Sequence, residues 1–353
     1  MASCAHRQWL RLRQDGNGVA LQYGNRLHNI ATSLPHPAKQ YPSLVLFLGK
    51  QSKARALRAL FPGSGISSCR GSAIANICVD PTTVGRDSPN LIADINSERS
   101  QSISRGKDTC HETTTHPVAW ADRDDVPLAQ QELADQVHAR LLFLFTHVLC
   151  IFANDFGTLD QVADQLEAWT ALGSASSLPG SVHPRLLVVT SIPGADFHAD
   201  VLRFRLRVLS DPKFADSFSS LNVLNVLSLG RAPRWDFSAL EAVLCDETNA
   251  ARLERVNTHT LFSMIHISAF FDMALRDFAR SPRHTFDFIQ RTREDSPVPP
   301  AFRQHLDSFL NLCSKQKLPE SILWEFIASA ITMDCFPPDM HCRCLVHPRI
   351  LPC

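Results

Sequence analysis

Between residues 41 and 235, short runs of apolar residues alternate with stretches in which apolar residues recur every three or four positions. Continuous runs predict buried strands, and the helical spacing predicts amphipathic helices. The strands are predicted at 44–48, 72–79, 90–94, 147–153, 185–190 and 222–228, and the helices at 53–61, 129–145, 158–172 and 196–210. Strands that alternate with helices predict an α/β domain of three layers, with a mostly parallel sheet.

After about residue 236 the strand pattern ends and only the helical spacing continues. Helices are predicted at 237–248, 250–280, 284–292, 301–316 and 319–334, and they form an all-helical extension. The predicted organisation is a flexible N-terminal arm (1–40), an α/β domain (41–235) that contains a polar loop (95–127), a helical domain (236–341) and a tail that contains Cys and His (342–353).

The bulk composition excludes several classes of function. The chain has 353 residues, of which 44% are hydrophobic and 20% are charged, and these proportions are typical of a globular protein. Its formal net charge is zero, so it lacks the basic footprint of a protein that binds nucleic acid. The most apolar run, 141–153, is too short for a transmembrane segment.

The N-terminus and the cysteines indicate the cellular compartment. The first residues of the chain lack the apolar stretch of a secretory signal. The eleven cysteines are odd in number and irregularly spaced, which argues against a framework of disulfides. We therefore expect a cytoplasmic protein.

The most informative segment is the first predicted strand of the α/β domain, with the turn and helix that follow it. The apolar run 44–48 ends at Gly49, and after four further residues the chain continues with Ala54-Arg55-Ala56. This is the layout of the phosphate-binding loop G-x-x-x-x-G-K-[S/T], with its last three positions replaced. The spacing of the motif is kept, whereas its phosphate-binding residues are not.

Each replacement removes a contact that phosphate or magnesium needs. The second glycine of the motif lets the backbone approach the phosphate closely, and Ala54 adds a methyl group there. Arg55 keeps the charge of the motif lysine but differs in length and shape, and Ala56 has no hydroxyl for Mg²⁺. The segment is therefore either a degenerate nucleotide-binding loop, with Lys50, Lys53 and Arg55 near the phosphate, or an ordinary strand–turn–helix without a ligand.

Other polar residues follow the ends of predicted strands. In open α/β sheets, ligands bind beyond the carboxyl ends of the strands. Gly49, Asp94, Asn154 and Ser191 would converge at that edge of the sheet. The alternative is that Asn154 and its neighbour Asp155 only end a strand and cap the next helix.

The order of the predicted strands and helices resembles a small Ras-like GTPase domain. The segment that begins at Gly49 stands where such a domain has its P-loop. Asp94 and Glu98 match the D-x-x-G-x-E segment after its third strand, with Ser97 in place of glycine. The resemblance implies that Asp94 is the carboxylate on the Mg²⁺ side. The guanine-reading N-K-x-D is replaced by the segment that begins at Thr190, which lacks the aspartate that pairs with guanine.

The chain is more closely similar to a fungal family of GTPase-like modules found upstream of patatin-like phospholipase domains. The similarity is carried by 41–62, the first strand and helix, and by 327–341, the end of the helical part. It implies a degenerate Ras-like P-loop GTPase-type module with a regulatory or nucleotide-sensing function and weak or no NTP hydrolysis. The ligands it implies are GTP or ATP with Mg²⁺, and the partner is another protein or a lipase domain.

Two alternatives to this function remain open. In the first, the chain is a structural protein-interaction module without a ligand. In the second, it is a truncated fragment of a patatin-like phospholipase protein that lacks its catalytic domain. The sequence has no G-x-S-x-G elbow of a lipase, and no serine has a placed His and Asp partner, so no catalytic residue is predicted.

The tail collects several residues that could bind zinc. They are His341, Cys342, Cys344, His347 and Cys353. The Cys-x-Cys pair is tighter than the usual spacing of zinc ligands, and a second paired knuckle is missing from the sequence. We therefore predict a disordered tail and no metal site.

Overall fold

The structure is a computed structural model. It describes residues 8–15, 18–64, 66, 75–96, 113–118, 120–121, 130–192, 196–228, 234–292 and 301–335. The pattern of contacts between residues divides the chain into two compact units, Met1–Phe286 and Asp287–Cys353.

The described part of the first unit alternates strands with helices. Its strands are β1 (Gln8–Asp15), β2 (Gly18–Gly24), β3 (Ser43–Gly49), β4 (Ala75–Val79), β5 (Asn90–Asn96), β6 (Thr113–Pro117), β7 (Thr146–Phe152), β8 (Arg185–Thr190), β9 (Ser220–Asn225), β10 (Leu227–Ser228) and β11 (Arg234–Trp235). Its helices are α1 (Arg26–Ser33), α2 (Gln51–Leu60), α3 (Gln130–Val137), α4 (Leu159–Thr170), α5 (Asp196–Leu209), α6 (Ser238–Asn257) and α7 (Met264–Arg280). α3 continues as one π-helical turn, His138–Leu142.

Nine strands form one sheet in the order β6-β2-β1-β4-β5-β3-β7-β8-β9. Neighbours from β5 to β9 in this order are parallel, and neighbours from β6 to β5 are antiparallel. The antiparallel pairing of β4 with β5 agrees with the short link between them. The predicted α/β class is confirmed, with a mixed sheet whose parallel part contains β3.

The centre of the sheet is buried on both faces. All seven residues of β3 and all seven of β7 are buried. On one face, Leu57 of α2 and Leu244 of α6 belong to the same apolar cluster as Phe47 of β3 and Cys150 of β7. Strands covered on both faces need continuous apolar runs, which is why the sequence pattern predicted them correctly. Because β3 pairs in parallel with both β5 and β7, its end lies between the ends of these two strands.

The N-terminal segment is part of the sheet. Residues 1–40 were predicted to be a flexible arm, and this is wrong for the described residues, since β1, β2 and α1 lie there. Trp9, Leu10 and Leu21 are fully buried. β1 pairs with both β2 and β4, so the hairpin extends the antiparallel side of the sheet. The alternation Leu10-Arg11-Leu12-Arg13 is the period-two signal of such a strand.

The predicted polar loop at 95–127 also contains part of the sheet. β6 lies within it and pairs with β2 at the edge of the sheet. Its sequence, Thr-Thr-Thr-His-Pro, has no apolar residue facing a core and was therefore missed. Most of the remaining predicted loop, 97–112 and 122–127, lies outside the described residues.

The predicted boundary at residues 235 and 236 is not the boundary between the two units. α6 and α7 belong to the first unit, because apolar residues of α6 pack in the core of the sheet. The buried guanidinium of Arg255 donates hydrogen bonds to the carbonyls of Thr146 and Val182, and burial lowers its pKa to about 10. The single helix predicted at 250–280 is wrong, because the chain turns between α6 and α7 through His259, whose φ of 55° is left-handed.

The second unit contains three helices among its described residues. They are α8 (Phe288–Thr292), α9 (Phe302–Gln316) and α10 (Glu320–Cys335). α9 ends at Lys317, which has a left-handed conformation, and the rings of Phe309 and Phe326 lie 6.1 Å apart across α9 and α10. The predicted tail at 342–353 lies outside the described residues.

Candidate functional site at the ends of the parallel strands

The turn between β3 and α2 is shorter than a phosphate-binding loop. β3 ends at Gly49 and α2 begins at Gln51, so only Lys50 lies between them. The spacing of apolar residues predicted that the helix begins at Lys53, two residues later than α2 does. Three of the four residues expected in the loop already lie in the first turn of α2.

The early start of α2 changes the position of the three residues at the end of the motif. Ala54, Arg55 and Ala56 lie within the helix, and Ala56 is fully buried in the core. The Arg55 guanidinium carbon lies 5.6 Å from the centroid of the Trp235 ring, at a distance typical of a cation–π contact. Arg55 therefore packs on Trp235, one helical turn beyond the position where the motif lysine binds phosphate.

The Asp155 carboxylate binds the backbone at the start of α2. Its Oδ2 accepts hydrogen bonds from the backbone N–H groups of Lys50 (2.5 Å) and Lys53 (3.0 Å), and its Oδ1 accepts one from Ser52 (2.9 Å). Asp155 reaches the turn because it lies in a short 3-10 turn that directly follows β7. The first N–H groups of a helix have no partner within the helix, and they carry its positive partial charge. The Asp155 carboxylate therefore accepts hydrogen bonds from these N–H groups and balances their positive partial charge.

Gly49 makes room for this carboxylate. A Cβ atom at Gly49 would lie 2.5 Å from Oδ2 of Asp155 and 3.1 Å from the Cβ atoms of Lys53 and Phe152. The φ of Gly49 is 156°, a value that side chains of other residues rarely allow. The glycine of the motif is thus needed here for a close approach of carboxylate rather than of phosphate.

The side chain of Lys53 turns inward and forms a buried ion pair. Its Nζ lies 2.5 Å from Oδ1 of Asp94 at the end of β5, and it donates a hydrogen bond to the carbonyl of Ile95. Both side chains are at least 92% buried, with exposures of 3% and 8%. Burial lowers the pKa of the Lys53 ammonium, and the nearby carboxylates of Asp94 and Asp155 act in the opposite direction.

The predicted site residues are only partly brought together. Gly49, Lys50, Lys53 and Asp94 meet at the turn, with Lys50 exposed at its surface. Asn154 lies beside them, but its Oδ1 accepts a hydrogen bond from the backbone N–H of Ser191 and so joins the ends of β7 and β8.

Asp155 is the central residue of the site, and the sequence argument gave it only a capping role on the next helix. The next helix, α4, is instead capped by Thr158, which forms a capping box with Gln161. The signal for Asp155 is its position directly after the strand that neighbours β3, since the carboxyl ends of parallel strands share one edge of the sheet.

The residues at this turn do not fit a Mg–nucleotide complex bound in the manner of a P-loop. The N–H groups that would hold phosphate bind Asp155, and the position of the Mg²⁺-binding hydroxyl is the buried Ala56. Asp94, for which the resemblance implied a place beside Mg²⁺, is paired with Lys53. Among the described residues, no group of three or more His, Cys, Asp or Glu side chains could hold a metal ion.

No protein-family model matches the chain, and no curated protein is significantly similar to it in sequence. The resemblance to GTPase-like modules therefore stays a prediction. In the part of the chain that the structure describes, none of the helices is both long enough and apolar enough to cross a membrane.

Proposed function

We propose that this chain is a degenerate GTPase-like regulatory module that binds other proteins and does not hydrolyse nucleotide. The observation that carries the proposal is the Asp155 carboxylate on the N–H groups of Lys50, Ser52 and Lys53. Catalysis of phosphoryl transfer depends on positioned N–H groups, a lysine and Mg²⁺ around the phosphates. Here the N–H groups and the nearest buried lysine already have partners within the chain.

The GTPase-type fold is part of the proposal, and the sheet is compatible with it. From β3 the chain forms β4, β5 and the edge strand β6 on one side of β3, and it then crosses to β7 on the other side. Ligands of open α/β sheets bind at such a reversal of strand order, beyond the carboxyl ends of the strands. The β3–α2 turn lies at this reversal, the place where nucleotide-binding proteins with open α/β sheets hold their ligand.

The exposed apolar side chains of the second unit support the part of the proposal that concerns partners. Its described helices and their connection expose large hydrophobic residues, namely Ile289, Leu312, Leu318, Ile322, Trp324 and Phe326. Large exposed apolar patches are typical of surfaces that bind proteins, and we infer that these side chains contribute to one. A protein partner, such as the lipase domain that the family resemblance implies, belongs to this class.

A thermal-shift titration with GTP, GDP, ATP and ADP, with and without Mg²⁺, tests the proposal. A ligand that binds only the folded state adds about 2.7 kcal/mol of stability at a hundredfold excess over its Kd. We expect no change in Tm with any of the four nucleotides, and no release of phosphate from GTP or ATP. A rise in Tm that depends on Mg²⁺ and favours one base would overturn the proposal and support a nucleotide sensor instead.

A further inference from the structure

We propose that the Asp155 carboxylate is a built-in replacement for phosphate, which holds the β3–α2 turn against the end of β7. The inference goes beyond the proposed function, because it assigns a positioning role to one side chain. It stands whether or not the module binds a partner, and the experiment below does not use nucleotides.

The first argument is that α2 lacks a cap of its own. Its N-cap residue, Lys50, forms no capping hydrogen bond through its side chain, and the first turn of α2 contains no acidic residue. By contrast, α4 begins with the local capping box of Thr158. Helix starts without local caps leave unsatisfied N–H groups, and here a residue 105 positions away satisfies three of them. The anion at this helix start is therefore part of the tertiary structure.

The second argument is the shape of the space that the carboxylate fills. A methyl group at Gly49 would collide with Oδ2 of Asp155, and the Cβ atoms of Lys53 and Phe152 border the same space. The carboxylate thus lies in a closely fitted cradle of backbone N–H groups, which is the geometry that binds small oxyanions. Removal of the carboxylate alone would leave a cradle of the size and charge that suit an oxyanion.

The third argument is that the carboxylate joins two strands. β3 ends at Gly49 and β7 ends at Phe152, three residues before Asp155. The hydrogen bonds of Asp155 therefore connect the end of β7 to the start of the helix that follows β3. In a phosphate-binding protein a bound ligand could make such a connection. In this chain a side chain makes it permanently.

Chemical rescue of Asp155→Ala tests the inference. Tm is measured for the wild type and for this variant in rising concentrations of sodium formate, or of sodium phosphate, with sodium chloride used to keep the ionic strength constant. The loss of three hydrogen bonds to a charged group should lower Tm by about 5 °C or more. We expect formate, the smaller anion, to restore at least half of this loss, and to leave the wild type unchanged.

Asp236→Ala is the matched control. The Asp236 carboxylate also accepts a hydrogen bond at a helix start, from the backbone N–H of Ser238. Unlike Asp155, it is exposed and has no enclosed cradle. Asp155→Asn is a second control, because its amide still fills the cradle and should prevent rescue. The inference is overturned if Asp155→Ala keeps the wild-type Tm, if formate does not raise its Tm, or if formate raises the Tm of all variants equally.

If Asp155→Ala does not fold, the chemical shifts of backbone amide protons in Asp155→Asn test the same inference. Amide protons that donate to a carboxylate have distinct chemical shifts, which the isosteric Asp155→Asn should change. We expect large changes for the amides of Lys50, Ser52 and Lys53, and none at Ser238, which donates to Asp236. Unchanged shifts of the three amides would overturn the inference.

Discussion

Replacement of Lys53 by methionine should destabilise the first unit strongly. Methionine is similar in length and shape to lysine, so the change removes the charge without leaving a large cavity. In the native structure the ammonium lies 2.5 Å from Oδ1 of Asp94 and also donates to the carbonyl of Ile95. The variant therefore leaves a buried carboxylate without its cation.

The magnitude follows from the burial of the pair. The two side chains are only 3% and 8% exposed, so water cannot solvate the carboxylate that remains. Removal of one partner of a buried ion pair typically costs about 3–5 kcal/mol. We expect Lys53→Met and Asp94→Asn each to lose about this much free energy of unfolding. The double variant should lose much less than the sum of the two, because neither charge is left alone.

Urea unfolding, followed by tryptophan fluorescence, measures these losses, since Trp9 and Trp169 are buried in the first unit. The control is Arg203→Met, which breaks an exposed pair with Asp200. There the nitrogen and oxygen are 3.4 Å apart and the side chains are 70% and 37% exposed. Exposed pairs contribute about 0–1 kcal/mol. A loss for Lys53→Met that is no larger than that of the control would refute the reasoning, as would a double variant whose loss is additive.

The pH dependence of Asp94→Asn gives an independent check. Burial lowers the pKa of Lys53 from its ordinary value of 10.5, and Asp94 opposes this. Without Asp94, the pKa of Lys53 in the folded state falls further. The Lys53 side chain then carries a proton in the unfolded chain but not in the folded chain over a wider range of pH below 10.5. Stability then rises with pH in that range. The deficit of Asp94→Asn relative to the wild type should therefore narrow as the pH rises towards 10.5.

Substitutions of Gly49, His138 and Thr158 test other parts of the structure by the same unfolding assay. Gly49→Ala should lose about 1–3 kcal/mol through strain and displacement of the carboxylate, whereas Gly85→Ala, which meets no atom within 4 Å, should be nearly neutral. His138 is buried and its pKa is lowered to about 4, so its contribution to stability falls as the pH drops from about 6.5 to 4. His138→Phe should reduce the slope of stability against pH there by up to about 1.4 kcal/mol per unit. Thr158→Ala should cost about 1 kcal/mol by loss of its capping box, and Thr158→Ser should restore most of it.

The parallel half of the sheet could be predicted because its signals are local and strong. β3, β7 and β8 are continuous apolar runs, and α4 begins at a threonine that caps it through its own neighbours. Each of these features depends on residues that are close in the sequence. The pattern of apolar residues therefore predicted them to within a few positions.

On the antiparallel side of the sheet, β4 was predicted, whereas β1, β2 and β6 were missed because their signals are weak or distant. β6 is a polar edge strand that is defined by its pairing with β2, about ninety residues earlier in the chain. The hairpin of β1 and β2 alternates apolar and polar residues only in part. Edge strands need few apolar residues, so tertiary pairing rather than local pattern determines them.

The candidate site was predicted in position but not in chemistry. Gly49, Lys53 and Asp94 do meet at the carboxyl ends of the strands. The motif spacing counted residues along the chain and could not show that α2 begins at Gln51, two residues after Gly49. Asp155 binds the N–H groups at the start of α2, and this contact spans more than a hundred residues of sequence.

Two carboxylates at this edge of the sheet together support the proposal that the turn does not bind a nucleotide. Asp94 lies near the end of β5 and binds the side chain of Lys53, whereas Asp155 follows β7 and binds the backbone of the same helix turn. A phosphate at this position would have to displace Asp155, and to recruit Lys53 it would also have to break the buried pair. The second step alone costs about 3–5 kcal/mol, which corresponds to a loss of roughly a hundredfold to several thousandfold in affinity. We therefore expect that a nucleotide with a micromolar Kd for an open loop would have a Kd of about 0.1 mM to several millimolar for this one.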